Sequence, residues 1–276
     1  MQYGMPTLIE NNSLAENISL CKELGLNFIE LNMNFPEYQL NELEKTDSLL
    51  KAADSAGIYY TIHLDENMNN ADFNELVANA YLETTRRTIE VAKKLLVLRD
   101  KYGDPTQPLI INMHMNHGIH ITLPDRWVQM YDRDSEIYMK AFEKFRSSCE
   151  EWIADKDILI TIENTDGFRE YEKRAIDFLL ESDKFGLTWD IGHSKAVGEI
   201  DIPFIMSNSG RLRHFHIHDG TEAPPKNHLA LGDGDINLKE RLDVAREYNC
   251  RCVLETKTIE ALKASVLWIK RFEGGK

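Results

Sequence analysis

The chain reads as an α/β protein of the closed (β/α)8 barrel class, on three observations. Eight short apolar, β-rich runs recur along its 276 residues, near 2–8, 27–33, 58–64, 108–115, 157–163, 186–190, 212–218 and 251–255. Helical patterns stand between most of them, and parallel strands need such crossovers. The runs also lack a clean polar alternation, as strands covered on both faces do. An open doubly wound sheet would carry a glycine-rich phosphate turn after its first strand. Here that turn, IENNSLAEN, has no glycine.

Taken in order, the first run leads into a helix over 13–23, where Leu14, Ile18 and Leu20 or Cys21 make one stripe and Gly25 stops it. The second run, NFIELNM, is followed by a helix exit at Ala56-Gly57 and then by the third run. A long helix over 74–98 spaces Leu76, Ala80, Thr84, Ile89, Ala92 and Leu96 along one side. Further helical stretches cover 134–154, 170–182, 237–248 and 258–272, with Ser182-Asp183-Lys184 as another exit. No linker, repeat or composition break interrupts 1–276, so one domain is expected.

An apolar content of 42% supplies a core, and 28% charged residues exclude a disordered or membrane chain. No run approaches the length of a bilayer span. The N-terminus, MQYGMPTLIE, lacks the pattern of a secretory signal. Cys21, Cys149, Cys250 and Cys252 make no disulfide framework, and Cys250-Arg-Cys252 is too close for a zinc knuckle; reduced thiols in a cytoplasmic protein are expected. The net charge of −14 weighs against a nucleic-acid partner, which wants a basic face. A small-molecule substrate is expected instead, with no organic cofactor. A homo-oligomer is compatible with the sequence.

Eight residues able to bind a metal recur, most at the ends of these runs: His63, His114, Glu163, Asp190, His193, His216, His228 and Glu255. In a barrel, the C-terminal ends of the strands carry the chemistry. In ILITIEN, Leu159, Thr161 and Glu163 share one face, and a buried carboxylate there needs a partner. The same holds for Asp190 in GLTWD and Glu255 in CVLETK. His214, His216 and His218 share a face in HFHIH, so His214 or His218 would serve as a core or supporting residue. His117 and His120 fall beyond the fourth run and are assigned to a loop. Glu30, Asn32, Asn34 and Asp65-Glu66-Asn67 are read as loop residues shaping the pocket, and Lys257 is left open between substrate and helix. Mixed imidazole and carboxylate ligands suit Mn²⁺, Zn²⁺, Co²⁺ or Fe²⁺. Two carboxylates flanking a metal-held carbonyl compound suit proton transfer through an enediolate.

Glu163 in TIEN, Asp190 and His193 in WDIGHS, His216 in HFHIHD, LGDGDIN at 231–237 and Glu255 in LETK resemble, in this order and spacing, the xylose isomerase-like TIM-barrel superfamily. That superfamily holds sugar isomerases and epimerases, inosose dehydratases and endonuclease IV. The resemblance implies a metal-dependent isomerase or epimerase of a small sugar or polyol. Glu163, Asp190, His216 and Glu255 would be its metal ligands, Glu163 and Glu255 its acid/base pair, and His193, His63 and Asn32 its substrate contacts. The alternatives are an inosose-type dehydratase or an endonuclease IV-like zinc phosphodiesterase acting on abasic DNA. In the latter, His63, His114, His193 and His228 would hold further metal. That branch carries an aspartate two residues before the loop histidine, where this chain has Lys226-Asn227-His228.

Overall fold

The computed structural model describes residues 1–274. Eight parallel strands, Tyr3–Pro6, Phe28–Asn32, Tyr59–His63, Leu109–His114, Ile158–Glu163, Phe185–Asp190, Leu212–Ile217 and Arg251–Leu254, close into a barrel in sequential order. Each lies within or overlaps one of the apolar runs. Residues such as Ile29, Ile62, Ile111, Ile160 and Phe215 are completely buried. The register fixes the site: His114 stands opposite Glu163, Asp190 opposite His216, and Asn32 opposite His63.

The helices obey local rules. Ser13 caps Leu14–Leu24 by accepting from the Glu16 N–H, and Gly25 ends it at φ 73, a left-handed conformation that a side chain would oppose. Asn74 caps Glu75–Tyr102 in the same way through the Leu76 N–H. Ser135–Ile153, Glu170–Leu180, Leu238–Glu247 and Ile259–Gly274 fall where periodicity places them. All four cysteines are free and buried. No helix of the described residues is long and apolar enough to cross a membrane.

The structure departs from the sequence reading at several points. Thr46–Ala56 is a full helix of which only the exit is visible in sequence, and Ile191–Ala196 and Ile202–Ser207 are helices too short for periodicity to reveal. Two β-hairpins leave the fourth and seventh strands, His120–Thr122 with Trp127–Gln129 and Asp219–Glu222 with Pro225–Leu229. Their strands are short and mostly polar, so no apolar run marks them. His120 is therefore a strand residue and not a loop residue. Glu30 and Asn32 are likewise in the second strand, because FIELN pairs with both neighbouring strands. Asn34 and Asp65-Glu66-Asn67 do lie in the connections beyond strands two and three.

Candidate metal centre

Strands five, six and seven bring Glu163, Asp190 and His216 to the C-terminal end of the barrel, and Glu255 follows the eighth strand directly. One ligand-type atom from each of these four lies within 4.8 Å of every other. Glu163, Asp190 and His216 are at most 1% exposed, and Glu255 is 6% exposed. His216 Nδ1 faces three carboxylates: Glu255 Oε2 at 2.9 Å, Glu163 Oε1 at 3.1 Å and Asp190 Oδ2 at 4.0 Å. One imidazole N–H can satisfy one of them. Glu255 Oε2 accordingly has no hydrogen-bond partner although it is inaccessible to solvent. Three buried carboxylates around one imidazole carry a charge that a divalent cation would offset, and three oxygens with one nitrogen suit the borderline divalent ions. The residues therefore fit a metal ion.

The ionisation states follow from the same crowding. Burial alone would raise the Glu163 carboxyl, but the imidazoles of His216 and His114 hold it well below the usual range. Burial likewise opposes ionisation of Glu255, and the Lys257 ammonium and His216 overcome it. Lys257 Nζ is 2.6 Å from Glu255 Oε1, which places this lysine beside the centre. His216 is pushed the other way: burial disfavours its charge, but Glu163, Glu255 and Glu30 raise its pKa well above the ordinary value. The field that favours a proton on His216 is one that a metal ion would occupy instead.

Below the four residues, Glu30 is fully inside the barrel. Its Oε1 is 2.7 Å from His216 Nε2, and its Oε2 bonds His214 Nε2 at 2.9 Å and accepts from the Thr61 hydroxyl at 3.0 Å. Asn112 donates to Glu163 Oε2. Sequence reasoning missed Asn112, and it assigned Glu30 to the pocket wall. The usable signal was strand alternation: Glu30 and Thr61 are inward-facing partners in the register.

The outer histidines split into two groups. His63 Nε2 and His114 Nε2 lie 3.2 and 3.3 Å from the same atom, Glu163 Oε2. His193, His218 and His228 cluster on the other side, near Asp190. A backbone carbonyl only accepts, so its partner assigns a tautomer. His63 Nδ1 meets Leu64 O at 2.7 Å, His193 Nδ1 meets Asn164 O at 3.2 Å, and His228 Nδ1 meets Glu255 O at 3.0 Å. All three therefore donate from Nδ1; His193 and His228 keep a bare Nε2 when neutral, as metal-binding histidines commonly do, whereas His63 Nε2 is taken up by Glu163 Oε2. Burial and the neighbouring His218 lower His228 to about 4, which keeps that lone pair free at neutral pH.

His218 is different. The His228 backbone N–H donates to its Nδ1 at 2.7 Å, a closer contact than the Asp219 carbonyl at 3.3 Å, so its Nε2 carries the hydrogen and donates to Asp190 at 3.0 Å. His228 has φ 56, the left-handed turn that aims this N–H. Gly192 makes room, since a Cβ there would stand 1.9 Å from the His218 ring. His218 thus holds Asp190 in orientation. Replacing it by Ala is expected to weaken divalent-metal affinity about 10–100-fold, read by competition with a chromogenic chelator. Unchanged affinity would remove it from that role. Asn164 holds the other side, bonding both the N–H and the C=O of Asp190.

Asn32 ends its strand accepting from the Asn34 N–H at 2.8 Å, and among the described residues no hydrogen bond joins its side chain to the four-residue centre. His117 sits farther out, between Glu172 Oε1 at 2.6 Å and Asp166 Oδ1. Burial opposes its charge, but those two carboxylates raise its pKa to about 9. Burial pushes Glu172 upward in turn, with His117 opposing it. A raised histidine pKa contributes stability fully present below its unfolded value of about 6.5 and lost as pH rises through the folded value. Thermal stability is therefore expected to fall between pH 6.5 and 9, and His117→Gln should flatten that slope in a melting series. An identical slope in the variant would contradict the assignment.

Barrel, strand-end ligands and buried carboxylates together define a (β/α)8 protein built around a candidate metal centre. The sequence profile of the xylose isomerase-like TIM barrel matches residues 18–272, and the chain belongs to that family. No curated protein matches it in sequence. Among solved structures it is similar to a D-tagatose 3-epimerase-like protein, with TM-score 0.75 and 21% identity over 99% of this chain and 97% of that one. It is also similar to 3-keto-D-glucoside 4-epimerase from E. coli, with TM-score 0.73 and 14% identity over 98% and 99%. D-psicose 3-epimerase from Clostridium cellulolyticum H10 gives TM-score 0.68 and 15% identity over 99% of both chains. At these identities the likeness is one of fold.

Proposed function

We propose that this protein is a divalent-metal-dependent isomerase or epimerase of a small sugar or polyol. The observation that carries the reading is the placement of Glu163 and Glu255 around one nitrogen, 3.1 and 2.9 Å from His216 Nδ1, with Asp190 completing the set. Glu163, Asp190, His216 and Glu255 would hold the metal. When bound, such an ion polarises a carbonyl and offsets the charge that builds on its oxygen as the neighbouring C–H ionises.

The rest falls to the protein. Both glutamates are held as carboxylates, so either can begin as the base. One carboxylate takes the C–H proton as the electron pair moves to the carbonyl oxygen; the other, once it has taken a proton from solvent, delivers that proton to the opposite face of the same carbon, and the first then releases its own to solvent. Return to the neighbouring carbon would give isomerisation. Lys257 keeps Glu255 ionised between turnovers. His193 and His63 would contact the substrate hydroxyls, with Asn32 at the end of the second strand completing the contacts. The names of the similar solved structures, which include two sugar epimerases and an epimerase-like protein, agree with this reading. Incubating the metal-loaded protein with ketoses and inososes, with products read by carbon NMR, should show conversion to an epimer or isomer. No conversion anywhere in the panel at full metal occupancy would contradict it.

A second reading, a zinc phosphodiesterase of the endonuclease IV type, is favoured by His63 and His114 on Glu163 and by the bare Nε2 of His193 and His228. Against it stands Lys226, an exposed residue of the second hairpin, where that branch carries an aspartate. Nicking of abasic duplex DNA after zinc loading, lost in Glu163→Gln, would establish this second reading over the first.

A further inference from the structure

Beside the metal centre, a cavity of about 410 Å³ opens among the connections that follow strands three, four and five. Its walls include Glu66, Asn67, His114, Asn116, Thr165 and Asp166. His114 belongs to both places, since its Nε2 is 3.3 Å from Glu163 Oε2. The space is therefore continuous with the atoms that would handle substrate. The space is open to solvent on its outer side, and its volume lies in the range of about 300–1,000 Å³ of small-molecule sites, more than one sugar ring at the metal centre requires.

The lining selects the chemistry. Two carboxylates and two amides supply mostly hydrogen-bond acceptors, which suits a group rich in O–H donors. An anionic group would be repelled by Glu66 and Asp166. The walls are also fixed in advance. Asp166 is held by His117, which is held in turn by the buried Glu172. Tyr171 and Gln129 both donate to the His117 carbonyl. Asn67 is tied to Asp65 through its backbone and side-chain N–H groups. Preorganised acceptors bind without the cost of being ordered first.

We infer that the substrate carries a second glycosyl unit, a hydroxyl-rich ring attached to the reacting sugar, which occupies this cavity. The inference rests on the isomerase or epimerase reading for the ring at the metal centre. The test is equilibrium binding to the metal-loaded full chain, by calorimetry, of lactulose, maltulose and palatinose against D-fructose, D-glucose and D-galactose. At least one disaccharide should bind about tenfold or more tightly than its component monosaccharides. Asn67→Trp, which fills the cavity from an exposed position, should remove that advantage while the melting temperature stays that of the wild type. Asp166→Asn, a milder change, should reduce it. Equal affinities for mono- and disaccharides in the wild type, or an advantage that survives Asn67→Trp, would overturn the inference. Selective binding of a disaccharide without any chemical conversion would leave the cavity assignment standing and sink the catalytic reading instead.

Discussion

Replacing Glu255 by Gln is expected to lower turnover by about 10²–10⁴-fold, the usual contribution of a positioned acid or base. The amide keeps the size of the side chain and one oxygen for the metal, so metal content should persist. The effect should fall on kcat, since the lost function is proton transfer and not substrate capture. Glu255 is suited to this part because its two oxygens have different neighbours: Oε1 is paired with Lys257, and Oε2 is 2.9 Å from His216 Nδ1 without a hydrogen bond. A kinetic comparison with metal analysis of the same sample checks the claim. Wild-type kcat in Glu255→Gln would show that another group moves the proton.

Stripping the metal with a chelator is expected to abolish turnover and to lower thermal stability together. A ligand that binds only the folded chain stabilises it by about 2.7 kcal/mol at a hundredfold excess over its dissociation constant. For a chain of this size that corresponds to a shift of several degrees. The physical source is the convergence of Glu163, Asp190 and Glu255 on one imidazole, which costs free energy unless a cation or proton sits among them. Scanning calorimetry before and after chelation, then after adding back Mn²⁺, Co²⁺ or Zn²⁺, reads both effects. Unaltered activity after complete metal removal would contradict the metal assignment.

These expectations depend on residues that were unequally visible in the sequence. The eight barrel strands were legible because doubly covered parallel strands make dense apolar runs, and Glu163, Asp190, His216 and Glu255 stood out because each ends one or stands two residues from its end. Glu30 and Asn112 were not read as centre residues. Each is a polar residue inside a strand, and only the register shows that they meet His216 and Glu163. His218 was legible as buried, but its role depends on a hairpin of four and five mostly polar residues that no pattern announces. Sequence grouped His63, His114, His193 and His228 as one outer set. The structure divides them, because His63 and His114 at the ends of strands three and four approach Glu163 Oε2, while His193 of the helix Ile191–Ala196 and His228 of the second hairpin lie near Asp190.

The measurement that bears most directly on the account is solvent deuterium exchange into a ketose or inosose, followed by proton NMR with the wild type and Glu163→Gln. The account predicts metal-dependent incorporation at one carbon beside the carbonyl, lost on chelation and in the variant. Conversion of substrate with no deuterium incorporated, or incorporation that survives both chelation and Glu163→Gln, would contradict it.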